Sequence, residues 1–118
     1  MMNNIEAIII EYLNRQDVAL DAPTFGEIPE NPPDEYYIVE LIGGPCVDHI
    51  NSSTIAIKSH AKSRARAADL AFDVDNAMRL GLIEVNEVSG VHRNTVANFT
   101  DLATNGYRYQ GVYVVNHY

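Results

Sequence analysis

The residues able to do chemistry are few and scattered. Metal binding needs convergent ligands, and Cys46, His49, His60, His92 and His117 form no close-spaced ligand box. Cys46 beside Asp48 and His49 has the composition of a nucleophile with a base, but it follows Gly43, Gly44 and Pro45 with no oxyanion-donor motif nearby. Carboxylate pairs for acid–base work exist in Asp73 with Asp75 and in Glu84 with Glu87. The first pair sits at i and i+2 of an expected helix and points apart, and both regions read as solvated faces. Gly43 and Gly44 precede a proline rather than a phosphate-cradling motif. The Asn-x-Ser/Thr matches at Asn51 and Asn98 matter only in a secreted chain. These residue types predict no catalytic centre, no metal and no cofactor.

The elements that must position these residues can be read from periodicity. Ile5, Ile8, Ile9, Tyr12 and Leu13 form one stripe of a first helix, with Asn3 or Asn4 as its cap and Glu11 with Arg15 as an i, i+4 pair. From Asp21 to Pro33, five prolines and glycines forbid more than a turn of helix, leaving a short edge strand at Thr24 to Ile28. Tyr36 to Ile42 reads as an interior strand stopped by Gly43, Gly44 and Pro45. Thr54 to His60 alternates, with Ile55 and Ile57 on one face and Lys58 on the other, and completes an antiparallel hairpin with it.

Ser63 to Leu80 predicts the second helix, its stripe made of Ala67, Leu70, Ala71, Val74, Ala77 and Met78. Arg66, Asp69, Asp73, Asp75 and Arg79 face elsewhere, Asp75 and Arg79 make an i, i+4 pair, and Gly81 closes the helix in a left-handed conformation. Glu87 to Arg93 is a strand interrupted by Gly90, Asn94 to Gly106 a long polar loop, and Tyr107 to His117 a final strand. That strand sets Tyr107, Tyr109, Gly111, Tyr113 and Val115 on one face. The order α-β-β-β-α-β-β predicts one α+β domain over residues 1–118, with two helices packed on a mainly antiparallel sheet.

Length and charge bound the function. The 118 residues suffice for a single core, and 47% hydrophobic with 20% charged residues belongs to a folded domain. Eight basic against 16 acidic residues give a net charge of −8, which disfavours gripping a nucleic-acid backbone. The lone Cys46 cannot form an intramolecular disulfide, which fits a reducing cytoplasm. The apolar run Ala7 to Ile10 is too short for a signal-peptide core, and no segment approaches a bilayer-spanning length.

The stretch Asn98-Phe99-Thr100-Asp101-Leu102-Ala103-Thr104 leading into Tyr107-Arg108-Tyr109-Gln110 resembles one found in small proteins encoded among the head-to-tail genes of long-tailed phages. Their early helix, their proline-rich segment like Glu27 to Pro33 and their Tyr-rich strand like Tyr36 to Leu41 extend the likeness over most of the chain. The chain is thus similar to the tail-terminator family, also called tail-completion or minor tail proteins. Leu102 and Gly106 depart from the polar and charged residues of that pattern, which bears on the loop contacts alone.

The resemblance implies a non-enzymatic ring subunit that caps the tail tube and joins tail to head. Its partners would be further copies of itself, the tail-tube protein and a head-completion or connector protein, with no membrane and no stable nucleic-acid binding although DNA passes through the ring. It would act in the host cytoplasm during assembly and then in the virion. The implied assembly interface is Phe99, Thr100, Asp101, Leu102, Thr104, Tyr107, Arg108 and Tyr109. A lumen that repels phosphates would draw on Glu30, Asp34, Asp48, Glu84 and Glu87. The alternative from another class is a small ligand-binding or regulatory α+β domain, whose helices and sheet enclose an effector pocket.

Overall fold

The structure, a computed structural model, describes residues 4–43, 46–47, 50–98 and 106–117. Helix α1 (Ile5–Leu13) forms as its periodicity requires, burying Ile5, Ile9, Tyr12 and Leu13. Of the two candidate caps Asn4 does the work: its side-chain oxygen accepts from the backbone N–H groups of Glu6 and Ala7 at 3.0 and 3.3 Å. Arg15 lies just past the helix and pairs with Asp17 at 2.6 Å, in place of the expected Glu11.

The sheet is built from β1 (Thr24–Phe25), β2 (Tyr36–Gly43), β4 (Ile50–Ala61), β5 (Val88–Asn98) and β6 (Tyr107–His117), in the spatial order β1-β2-β4-β6-β5. A two-residue strand β3 (Cys46–Val47) folds back on the start of β4, one element more than periodicity predicts. Among the described residues only the β1–β2 pair is parallel. Register fixes the faces: Ile55 lies between Leu41 and Tyr113, and Ile57 between Val39 and Gly111. Tyr37, Val39, Ile55, Ile57, Tyr113 and Val115 thereby share one face and join Ile9, Leu13, Leu70, Val74, Met78 and Leu82 in the core. The other face carries Tyr36, Glu40, Lys58, His60 and Arg108. This is an α+β fold with two helices on a mainly antiparallel sheet.

Helix α2 (Arg64–Asn76) starts at Ser63, whose hydroxyl accepts from the Arg66 N–H at 3.2 Å. It ends otherwise than expected. A π-helical turn over Ala77–Gly81 and a 3-10 turn over Leu82–Glu84 follow, and Gly81 keeps a φ of −116°. The cause is tertiary: the Ala77 carbonyl accepts from the Leu82 N–H and also from the Tyr12 hydroxyl at 2.9 Å, which widens the turn. Gly81 serves as a close-approach residue, since a Cβ there would collide with Tyr12 Oη.

The expected loop from Asn94 is corrected as well. β5 runs on to Asn98, with Val96, Ala97 and Asn98 opposite Gly111, Gln110 and Tyr109. Pairing along β6 supplies backbone partners that local polarity does not reveal. The interruption at Gly90 is a register shift between Val88 and Gly90, and a second shift lies between Arg93 and Thr95. Residues 99–105 of that loop lie outside the described residues.

Candidate functional site

The clearest departure from the sequence reading is Asp75, expected on a solvated face and found 4% exposed. Its Oδ1 accepts from the Tyr113 hydroxyl at 2.9 Å; its Oδ2 accepts from Arg79 Nε and Arg93 Nη1, both at 3.0 Å. Four elements meet at this carboxylate: α2 supplies the acid, the following π turn supplies Arg79, and the paired strands β5 and β6 supply Arg93 and Tyr113. Burial first, and then the bond to Asp75, pushes the Tyr113 phenol well above its ordinary pKa. Both carboxylate oxygens are engaged, so the group locks α2 to the sheet. The i, i+4 spacing to Arg79 was the sequence signal. That Asp75 neighbours the buried stripe could be decided only by what packed beside it.

Next to this network lies a groove of about 180 Å³ lined by Ala68, Phe72, Arg93, Val96 and Tyr109. It exists because α2 packs over β4 and β6 and stops short of β5, and because Ala68 and Ala71 are too small to fill the remaining space. Phe72 is 66% exposed at its rim. Of the expected interface residues, Tyr109 lines this groove, Tyr107 lies on the same sheet face, and Arg108 is on the opposite face across from His60. Phe99, Thr100, Asp101, Leu102 and Thr104 lie outside the described residues.

On the helix-free side, the His60 ring stacks on Tyr36 with centroids 4.5 Å apart and planes 6° from parallel. Burial, reinforced by Arg108 and Lys58, pulls the imidazole pKa down to about 4. On the helix-covered face, Ser53 Oγ and His117 Nε2 are 2.7 Å apart, the spacing of a nucleophile and base, but both are buried and neither lines the groove at Phe72 or the groove at Tyr12. They join β4 to β6 as a packed polar contact. A larger groove of about 650 Å³ runs between the end of α1 and the π turn, bounded by Tyr12, Arg15, Asp73, Leu80 and Glu84.

The expected lumen carboxylates occupy two separate regions. Glu30 and Asp34 are exposed on the connection from β1 to β2, where Asp34 pairs with Lys62 at 3.5 Å. Glu84 and Glu87 border grooves beside Tyr12 and Arg15, and Asp48 lies outside the described residues, as does His49. Among the described residues no three His, Cys, Asp or Glu side chains gather as a metal site, and no helix is long and apolar enough to cross a membrane. Compared with known proteins, the chain matches no protein-family model and no curated sequence, so its functional reading rests on its own geometry and on the resemblance carried by its motifs.

Proposed function

We propose that this chain is the subunit of a homo-oligomeric ring that ends tail-tube growth and joins the tail to the head of a long-tailed phage. The observation that supports the reading is an exposed strand and an apolar groove that includes Tyr109, one of the residues the resemblance implies in assembly. An eleven-residue edge strand, β5, lies beside an apolar groove shared by Phe72, Val96 and Tyr109. The partners are further copies, the tail-tube protein and a head-side connector protein, met first in the host cytoplasm and kept in the virion. The chain acts by assembly and not as an enzyme.

Mass measurement across concentration, with and without purified tail tubes, tests the reading. A monomer or weak oligomer alone should become a closed ring on the tube end. A tight dimer that persists at nanomolar concentration and blocks ring formation would refute it. The second reading, a small ligand-binding domain, is favoured by the 650 Å³ groove at Tyr12 and Leu80. A dimer that binds a small molecule there, with no ring under any condition, would establish it instead.

A further inference from the structure

The two edges of the sheet are unlike. At one edge β1 offers two residues, and Asn14 already occupies part of its backbone: Asn14 Nδ2 donates to the Thr24 carbonyl at 3.0 Å, and the Thr24 N–H donates to Asn14 Oδ1 at 2.9 Å. Pro23 precedes this strand, and the irregular chain that follows it carries Pro29, Pro32 and Pro33. That connection displays Ile28, 58% exposed, among the exposed carboxylates Glu27, Glu30 and Asp34.

At the other edge β5 has eleven residues, no proline, and no neighbour on its outer side among the described residues. Sheets usually shield an edge of that length. The groove beside it is apolar and open, with Phe72 standing at its rim. Its charge is of opposite sign to that of the β1 side. One carboxylate, Asp75, is shared by the half-exposed guanidiniums of Arg79 and Arg93, which leaves the rim cationic. One end of the sheet is therefore concave, apolar and cationic; the other is projecting, apolar at Ile28 and anionic.

We infer that, in the ring on which this inference rests, the Gly26–Asp34 segment of one copy docks against β5 of the next. Ile28 fills the groove between Phe72, Val96 and Tyr109, and Glu27 and Glu30 face Arg79 and Arg93. Each copy carries one patch of each kind at opposite ends of its sheet, so the contact runs head to tail and continues until it closes. Two-fold pairing about the middle of β5 is disfavoured because it would set Arg93 of both copies side by side. Backbone pairing through β1 is opposed by the Asn14 cap.

The test uses the full chain with Cys46→Ser, adding Ile28→Cys and Val96→Cys together or singly, under mild oxidation with tail tubes present. The double variant should give a ladder of cross-linked dimers, trimers and higher species, and neither single variant should give one. Dimers from Val96→Cys alone would mean that β5 pairs with itself, which overturns the inference. Rings visible by electron microscopy without a ladder would overturn this interface and leave the ring reading standing. A ladder without closed rings would uphold the interface and overturn the ring. Monomers throughout, with no ladder, would overturn both. Independently, Glu27→Lys with Glu30→Lys, at exposed positions where folding is unaffected, should raise the concentration for half-assembly about tenfold; an unchanged value would overturn the charge pairing.

Discussion

Asp75 and His60 show how one side chain reports the packing around it. Asp75 holds two guanidiniums and a buried phenol at once, and its removal would leave the Tyr113 hydroxyl without its acceptor inside the core. Asp75→Ala is therefore expected to destabilise the fold by about 2–4 kcal/mol, measured by chemical denaturation. Tyr113→Phe should cost less, because Asp75 Oδ1 loses its donor but both guanidinium pairs to Oδ2 remain. His60 gives a pH signature. Its folded pKa of about 4 lies below the ordinary 6.5, so on acidification the unfolded chain takes up a proton before the folded one does. Stability from this group is present at neutral pH and lost as pH falls through that window. Between about pH 7 and pH 5 the wild-type Tm should drop about 5 °C further than that of His60→Phe, which keeps the stack on Tyr36 but cannot titrate. Equal drops in the two proteins would place the cause in the carboxylates common to both.

At the scale of elements, Gly111 explains how β6 serves two purposes. The Tyr113 ring lies back over Gly111, where a Cβ would stand 2.8 Å from both Cε2 and Oη of that ring. The ring cannot swing aside without losing Asp75, so Gly111→Ala should destabilise by about 1–3 kcal/mol. In a double-mutant cycle with Tyr113→Phe part of that loss should vanish; full additivity would show that the glycine is needed for some other reason. Elements whose partners are local in sequence were legible: α1 with its Asn4 cap, the start of α2 at Ser63, and the hydrophobic alternation of β4 and β6. The C-terminal half of β5 and the π turn were not. The first depends on a ladder to β6, the second on a hydroxyl contributed by Tyr12 from the far end of the sequence.

For the whole molecule, the net charge of −8 bears on the proposed ring. A bore lined by carboxylates repels phosphates and lets a genome slide, whereas lysines there would retard it. Charge reversal at Glu84 and Glu87 tests this apart from the subunit contact, since the fold sets that pair away from Glu30 and Asp34. It should give tails of normal length with slow DNA ejection, relieved by added salt. Normal ejection from this variant at low salt would reduce its acidic charge to a matter of solubility.

Composition and periodicity by themselves determined that this chain folds as α+β, because the side-chain periods of two and 3.6 are set by neighbours along the chain. They also placed the tyrosines of β6 on one face, since alternation is a property of the strand itself. Which tyrosine is core and which is surface was decided by the tertiary structure. Tyr113 lies under α2 and is fully buried, whereas Tyr107 and Tyr109 stay half-buried, with Tyr109 beside the groove that α2 leaves open next to β5. The same geometry turned Asp75 from an expected surface charge into the junction of α2, β5 and β6. It also left β5 at the margin of the sheet, because pairing with β6 uses one side of the strand and no strand among the described residues uses the other.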